Sequence, residues 1–345
     1  MKKRVYKVVD LFCGVGGFHI GFQRKGFQVL LAVDIDNYCE QFHKINMPQV
    51  SFLRKDIRRL TTKDLNKYIK QEVDVLIGGP PCQGFSTIGN RISPDPERRR
   101  KYDPRNDLFK EYIRVLKNLK PKIFLMENVK GLLTREKGKI LEEVKNKFYR
   151  TGYDFDYSVI NAADYGVPQV RDRIFFYGKR IDVKLRPPKQ THGEKKGLKP
   201  YLTVGDVITD LAYNGNGAKN HVPLKHGDIN LRRYALIPEG GRLPEDKLCK
   251  ELYRRNFGNT FKRLHRNNLS LTLVPGHNAF PIHPWLHRSL TVREAARIQT
   301  FNDNIEFVGP RHEQCIQVGN AVPIQMAKAW ATSIKKVLNN YYGTK

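Results

Sequence analysis

The sequence has few cysteines and no long hydrophobic run, and both deficits exclude classes of protein. Its 345 residues include five scattered cysteines and no Cys-x-x-Cys pair, which predicts neither a disulfide framework nor a zinc ribbon. No apolar run approaches the roughly 18 residues of a membrane helix, and the basic start Met1-Lys2-Lys3-Arg4 is not followed by the apolar core of a signal peptide. We therefore expect a cytoplasmic protein that has no membrane partner.

Acidic residues are also scarce relative to basic ones. The chain has 62 lysines and arginines against 34 aspartates and glutamates, giving a formal net charge of +28 and an isoelectric point of about 9.9. This surplus suits a polyanionic partner such as nucleic acid. It is weak evidence by itself, because many soluble proteins are basic.

The most informative stretch is residues 78–86, Gly-Gly-Pro-Pro-Cys-Gln-Gly-Phe-Ser. It follows the apolar run 73–77, which we interpret as a buried strand that the glycines and prolines end sharply. This arrangement places Cys82 at the carboxyl edge of a strand, where open α/β sheets bind their ligands. A lone cysteine is more often an inert buried side chain, so its role depends on the rest of the chain.

A glycine-rich turn near the start predicts a nucleotide-binding unit. A strand through Phe12 leads into the turn 13–17, Cys-Gly-Val-Gly-Gly, and then into a helix that ends near Lys25. Such glycines let the backbone approach a ligand. A second strand ends at Asp34, a position from which an acid can bind a ribose, although Asp34 or Asp36 could instead cap the next helix.

The strand and helix patterns continue to alternate along the chain. We predict further strands at 51–54, 73–77, 122–126, 155–160 and 174–177, and helices at 37–46, 61–70, 107–119, 135–149 and 323–341. This order predicts an α/β fold with a doubly wound, mostly parallel sheet. We expect the last helix to pack back onto this first domain.

Several charged residues follow the predicted strands. Glu127 comes directly after the fifth strand and could exchange a proton with a substrate, or could simply end the strand. Arg171 and Arg173 alternate, so we expect both on one face of an extended segment, where they would suit a phosphate or a polarised carbonyl. The aperiodic stretch 84–105 is either a mobile lid or a solvated loop.

The second half has a different texture. Residues 183–285 are rich in glycine, proline, asparagine and basic residues, which predicts an inserted, loop-rich domain with a basic face. Thr291 and Glu294 form the pattern of a helix-capping box. His283 and His287 are four residues apart, but Pro284 between them breaks the helix that a metal pair needs, so we predict no metal. The candidate contacts to phosphates or base edges are Arg232, Arg233, Arg254, Arg255, Lys262, Arg263 and Arg266.

Six motifs, in order along almost the whole chain, resemble those of the DNA (cytosine-5) methyltransferase family. They are residues 10–18, 80–86, 127–129, 169–173, 288–299 and 317–323. The resemblance implies a class I, Rossmann-like fold that binds S-adenosyl-L-methionine and releases S-adenosyl-L-homocysteine. It also implies a catalytic domain of residues 1–182 plus 306–345, with residues 183–305 as the target-recognition domain.

The family's functional residues can be carried over onto the matching positions. The resemblance implies Cys82 as the nucleophile that attacks cytosine C6, with Glu127, Arg171 and Arg173 as the other catalytic residues. It implies that the methyl donor is bound by Phe12, Gly14, Gly16, Gly17, Asp34, Ile35, Asp56, Ile57, Pro80, Leu108, Asn320 and Ala321. Ile35 stands where the family often has an aromatic residue.

The expected partner is double-stranded DNA, from which a target cytosine is flipped, and we expect a monomer. Compact size favours a prokaryotic modification enzyme whose cognate restriction endonuclease is a genetic partner only. Three alternatives stay open. The first is methylation of RNA cytosine, although this chain lacks the Cys-Phe-Thr signature of the transfer-RNA branch. The second is a catalytically silent nucleic-acid-binding protein. The third is a nicotinamide oxidoreductase, which would leave the Pro-Pro-Cys turn unexplained.

Overall fold

The structure, a computed structural model, describes residues 4–81, 104–214, 217–244, 246, 248–253, 258–274 and 279–343. Cys82 and almost all of the predicted lid lie outside these residues. The chain divides into two compact units. The first consists of residues 1–161, 172–189 and 327–345, and the second of residues 162–171 and 190–326.

The first unit contains a seven-stranded sheet in the order β3-β2-β1-β4-β5-β7-β6. Strands β1 to β5 are parallel, and β7 pairs antiparallel with both β5 and β6. The sheet is therefore mostly parallel, as predicted. The strands are β1 Lys7–Leu11, β2 Gln28–Asp34, β3 Phe52–Arg54, β4 Val75–Gly78, β5 Ile123–Val129, β6 Asp154–Asn161 and β7 Asp172–Lys179.

The predicted helices of the first unit are present, with one correction. They are α1 Gly17–Gln23, α2 Asn37–Asn46, α3 Thr62–Tyr68, α4 Leu108–Leu119 and α5 Lys139–Tyr149. Thr61 and Asp64 cap α3 reciprocally, as a capping box does. The prediction that α5 begins near Arg135 is wrong, because Glu136, Lys137 and Gly138 have φ angles of 50°, 56° and 88°. Left-handed backbone cannot continue a right-handed helix.

One face of the sheet packs on α4 and α5 through an aromatic cluster. The rings of Phe124 on β5 and Phe148 on α5 stack with centroids 4.7 Å apart and an angle of 3°. Phe176 on β7 lies 5.8 Å from Phe148. All three side chains are fully buried, so this contact joins helix and sheet through apolar area alone.

The last helix, α10 Ile324–Gly343, packs on the first unit from Ala327 onward, as predicted. Trp330 is fully buried against Phe175 and Tyr177 on β7. A Cβ at Gly21 on α1 would lie 2.5 Å from the Cβ of Ala327, so α1 and α10 approach too closely for a larger residue. The chain end is thus part of the first unit's core.

The second unit is helical and loop-rich. It contains α6 Val204–Asn214, α7 Asp228–Ala235, α8 Val292–Ile298, α9 Arg311–Asn320 and the first residues of α10. Within its described residues the β structure is limited to isolated bridges. The unit also includes 306–326, which we had assigned to the catalytic domain, and the role of 183–305 in target recognition stays a prediction. No helix in the described part of the chain is long and apolar enough to cross a membrane.

Replacing Phe148 by alanine should lower the free energy of unfolding by about 3–5 kcal/mol, because it empties the centre of the aromatic cluster. Tyr149→Ala is the matched control. Tyr149 follows Phe148 on the same helix but is 65% exposed, so its loss should cost about 1 kcal/mol or less. Urea unfolding followed by Trp330 fluorescence in a Trp285→Phe background measures both. Equal losses would contradict the packing described here.

Candidate active site

The carboxyl edge of the sheet gathers most of the predicted site residues of the first unit. Phe12 follows β1, Asp34 ends β2, Pro80 follows β4, and Glu127 lies near the end of β5. Because these strands are parallel neighbours, their carboxyl ends lie side by side. Residues far apart in the sequence therefore meet at one edge.

The glycine turn after β1 is held closely against β2. The Cys13 amide donates to the Val33 carbonyl over 3.1 Å, and the Gly14 amide donates to Asp34 Oδ2 over 2.8 Å. Gly14 and Gly16 have φ angles of 51° and 71°, which glycine adopts without strain. Phe12 has a φ of 56° without being glycine, and such outliers cluster at functional sites.

The two acids at the end of β2 have different roles. Asp36 caps α2, accepting from the amides of Tyr38 and Cys39 over 2.7 and 3.0 Å. Asp34 accepts the amide of Gly14 and, over 3.0 Å, that of Asp36. Burial raises the pKa of Asp34, and these amides oppose the increase. Asp34 is thus not the helix cap, which leaves the ribose role as our interpretation.

Ile35, between these acids, is 63% exposed. A large apolar side chain exposed at the ligand edge of a sheet is suited to cover the face of a flat ring.

The segment that follows β3 is held by α4. Arg114 on α4 donates to the carbonyls of Leu60 and Ile57 over 2.9 and 2.7 Å.

Three further predicted donor contacts are Asp56 and Ile57, which follow β3, and Leu108, which begins α4. Asp56 caps the 3-10 helix Ile57–Arg59 and pairs with Arg58, whose hydrogen bond lowers the pKa of Asp56. Ile57 is buried, and Leu108, the first residue of α4, is partly buried. Asp56 keeps its charge at neutral pH in this setting.

The turn that leads to Cys82 is positioned by its neighbours. Asn128, only 3% exposed, donates to the Pro80 carbonyl over 3.3 Å. A Cβ at Gly78 would lie 2.7 Å from the Leu11 carbonyl oxygen, so only glycine fits between β1 and α4. The sequence analysis assigned no role to Asn128. The signal that could have identified it is its position directly after Glu127 in the motif 127–129. Cys82 itself lies outside the described residues.

Glu127 forms a salt bridge with Arg173. The distance from Arg173 Nε to Glu127 Oε1 is 2.9 Å, and each side chain is 13% exposed. Burial lowers the pKa of Arg173, and the carboxylate beside it opposes that effect. We had expected Arg173 to suit a phosphate or a polarised carbonyl, whereas its contact is with Glu127, the candidate proton-transfer group. The antiparallel pairing of β5 with β7, which sequence did not predict, produces this contact.

Arg171 belongs to the second unit and has different partners. Its guanidinium donates to the carbonyls of Leu273, Gly319 and Ala321 over 3.3, 3.2 and 3.1 Å, and the residue is 2% exposed. Arg171 and Arg173 therefore do not act as one pair on a single face. Two of these carbonyls, those of Gly319 and Ala321, flank Asn320, which ends α9, so Arg171 shapes the segment that carries Asn320 and Ala321.

Several predicted DNA contacts have structural roles instead. Arg233 and Arg263 are 8% and 2% exposed and donate to backbone carbonyls, including those of Leu252 and Ile237. That prediction is wrong for both, because burial removes them from any phosphate. Others already have partners: Arg232 pairs with Glu251, Arg266 with Glu239, and Lys262 donates to the Gly240 carbonyl. Arg254 and Arg255 lie outside the described residues.

The capping box at α8 is present and extends into a buried charged cluster. Thr291 and Glu294 cap the helix reciprocally, and Arg288 forms a bidentate salt bridge with Glu294 at 2.6 and 2.8 Å.

Over the residues that the structure describes, no group of three or more histidine, cysteine, aspartate or glutamate side chains could hold a metal ion.

A family model for C-5 cytosine-specific DNA methylases matches residues 6–336. The chain belongs to this family. The match confirms the resemblance stated above and the prediction that the protein is a DNA (cytosine-5)-methyltransferase. Curated relatives agree over comparable lengths, which shows that the similarity is not limited to the motifs.

Two relatives illustrate this. The chain is 39% identical over 342 residues to the type II methyltransferase M1.HphI of Haemophilus parahaemolyticus, covering 96% of this chain and 87% of the relative. It is 36% identical over 344 residues to M.NgoFVII of Neisseria gonorrhoeae, covering 97% and 88%.

Solved structures confirm the predicted fold class. A putative DNA modification methyltransferase encoded within an Escherichia coli prophage matches with a TM-score of 0.76 and 27% identity, over 97% of this chain and 99% of that one. A Dnmt2 methyltransferase from S. pombe matches with a TM-score of 0.60 and 16% identity, over 97% and 99%, which supports the fold alone.

Replacing Arg171 by lysine should destabilise the second unit by about 2–3 kcal/mol, because one ammonium group cannot satisfy three buried carbonyls. Urea unfolding in a Trp330→Phe background, where Trp285 of the second unit is the remaining tryptophan, measures the change. Arg232→Lys is the control: its side chain is 52% exposed in an ion pair with Glu251, so the cost should stay below about 1 kcal/mol. An Arg171→Lys protein as stable as the wild type would refute the structural role.

Proposed function

We propose that the protein transfers a methyl group from S-adenosyl-L-methionine to C5 of a cytosine at a specific sequence in double-stranded DNA. The product of the donor is S-adenosyl-L-homocysteine. We further propose that it protects host DNA in a restriction–modification system, as the type II designation of its relatives suggests. The observation that carries the proposal is the convergence of the glycine turn, Asp34, the turn before Cys82 and Glu127 at one edge of the sheet.

The residues at this edge fit such a donor on three observations. Gly14 keeps the backbone open to a close approach, since an added Cβ there would meet nothing within 4 Å, and the buried Asp34 carboxylate can accept from ribose hydroxyls. The exposed Ile35 side chain can cover one face of an adenine ring. When bound, the donor supplies a methyl group that its positively charged sulfur activates toward nucleophiles.

Cys82 would make the cytosine ring reactive. Cytosine C5 is a poor nucleophile, but addition of the Cys82 thiolate to C6 moves the ring electrons toward N3 and makes C5 enamine-like. Once C5 carries the methyl group, loss of the C5 proton to a base and departure of the thiolate from C6 restore the aromatic ring. The cysteine is regenerated, so the cycle needs no further reactant.

Glu127 and Arg173 would assist this addition. Charge builds up at ring N3 as the thiolate attacks C6, and a hydrogen bond or proton from Glu127 stabilises it there. Arg173 holds Oε1 of Glu127, and Gly79 leaves room near Oε2, because a Cβ at Gly79 would already lie 3.2 Å from that oxygen. The salt bridge therefore orients the carboxyl group before the base arrives.

The target cytosine must leave the double helix to reach Cys82. Flipping a base costs a few kcal/mol of stacking and pairing free energy. We propose that the second unit and the segment 84–105, with its basic run at 98–101, offset this cost through contacts to the DNA backbone. The family match supports Asn320 and Ala321 as further contacts to the donor.

Bisulfite sequencing of plasmid DNA from cells that express the protein tests the proposed function. We expect protected cytosines within one short repeated sequence, and their complete loss with Cys82→Ala, since alanine has no nucleophile. Cys82→Ser with full turnover would contradict the covalent mechanism. No protected cytosine despite abundant folded protein would favour an RNA substrate or a silent nucleic-acid binder.

Replacing Glu127 by glutamine should lower kcat/KM by roughly a hundredfold or more, the usual contribution of a positioned acid–base group. Arg173→Met should lower kcat/KM by roughly tenfold, because Glu127 stays but loses its orientation. The kcat/KM of Arg173→Lys should lie between those of wild type and Arg173→Met. Labelled-methyl transfer to a duplex with the mapped sequence measures these rates.

Lys179→Met is the matched control for Arg173. Lys179 pairs with Asp154 at the other end of β7, over 2.7 Å, so its replacement removes an ion pair from the same strand away from the site. The kcat/KM of Lys179→Met should stay within about twofold of wild type, because this ion pair lies at the far end of the strand from Glu127. An Arg173→Met enzyme with unchanged kcat/KM would show that the salt bridge has no role in the reaction.

A further inference from the structure

A buried polar chain lies directly under the glycine turn, and the proposed mechanism does not use it. Asp10 in the central strand β1 and His19 in α1 are both fully buried. His19 Nδ1 lies 2.9 Å from Asp10 Oδ2, and His19 Nε2 lies 3.2 Å from the sulfur of Met47. A Cβ at Gly16 would be 2.4 Å from His19 Nε2, so the imidazole packs directly against the turn.

The partners of His19 determine where its protons are. A thioether sulfur accepts hydrogen bonds weakly and has no proton to donate, so Nε2 is the donor toward Met47. In a neutral imidazole the other nitrogen, Nδ1, must then accept. Asp10 Oδ2 can donate to it only if the carboxyl group carries a proton.

The surroundings of Asp10 agree with an uncharged carboxyl group. Its other oxygen, Oδ1, is buried and accepts no hydrogen bond from the described part of the chain. An ionised carboxylate whose buried oxygen accepts no hydrogen bond would lower the stability of the fold. The ionisable groups whose electrostatics involve Asp10 are the Cys13 thiol and the Tyr112 hydroxyl, besides His19. None of these three is a permanent cation that would stabilise an anion there.

The pKa values of the pair point the same way. Burial raises the pKa of Asp10 well above its usual range, and the backbone of His19 opposes this only in part. Burial lowers the pKa of His19 to about 3. Both side chains therefore favour their neutral forms.

We infer that Asp10 is protonated and donates to His19, and that these two side chains are positioning residues for methyl-donor binding. The chain from Asp10 through His19 to Met47 fixes the imidazole against Gly16 and so fixes the turn. A neutral Asp10 also places no negative charge beneath the turn, which would repel the carboxylate of the donor's amino-acid end. The second half of this inference rests on the proposed function.

The protonation state can be read in the wild-type protein. Two-bond proton–nitrogen correlation spectra of protein labelled with ¹⁵N-histidine distinguish the two neutral tautomers and the imidazolium, and the His19→Gln spectrum assigns the signal among the ten histidines. We expect a pyrrole-type Nε2 and a pyridine-type Nδ1 at neutral pH. A protonated Nδ1, in either the other tautomer or the imidazolium, would overturn the inference.

Donor affinity tests the positioning role. Isothermal titration with S-adenosyl-L-homocysteine should show Asp10→Ala binding roughly five- to tenfold more weakly, the effect of one lost hydrogen bond. Asp10→Asn should bind within about twofold of wild type, since its amide N–H replaces the carboxyl O–H as donor to Nδ1. Phe148→Ala, which destabilises the same unit away from the turn, should also bind within about twofold.

The outcomes separate this inference from the proposed function. Asp10→Asn as weak as Asp10→Ala would show that the negative charge is needed, and Asp10→Ala as tight as wild type would show that the chain does not position the turn. Either result overturns the positioning role. Failure of the wild-type protein to bind S-adenosyl-L-homocysteine would overturn the proposed function together with that role. The tautomer spectrum would still test whether Asp10 is protonated and donates to His19.

Discussion

The close approach of β4 to β1 and α4 at Gly78 is the constraint on which the rest of the site depends. The Leu11 carbonyl and the ring of Tyr112 leave no room for a side chain there, with 2.7 and 3.0 Å to an added Cβ. This contact places the ends of the two central strands side by side. The glycine turn after β1 and the Pro-Pro-Cys turn after β4 therefore start from neighbouring positions at the same edge of the sheet.

Buried arginines supply the second unit with hydrogen bonds to backbone carbonyls. The described residues of this unit form helices, loops and isolated bridges, so many buried carbonyls lack a strand partner. Arg171, Arg263 and Arg293 are buried, and each donates to at least three of these carbonyls, which the five N–H groups of a guanidinium allow. A high content of basic residues thus overstates the charge available to DNA.

Two acids of the first unit, Glu127 and Asp10, are held in opposite ways. Glu127 faces Arg173, whose guanidinium favours the carboxylate. Asp10 lies against neutral His19 in a fully buried site, and burial favours its protonated form. The first unit therefore holds two acids in opposite settings, one beside a guanidinium and one in a buried site without a cation.

The sequence by itself determined the family and the order of strands and helices in the first unit, because these depend on local patterns. Glycine and proline end strands wherever they occur, and an ordered set of motifs does not arise by chance. The sequence did not separate Arg171 from Arg173, identify Arg233 and Arg263 as buried, or reveal the chain Asp10–His19–Met47. Only the tertiary structure decided these, because a side chain's charge, partners and exposure depend on residues that folding brings close from distant parts of the chain.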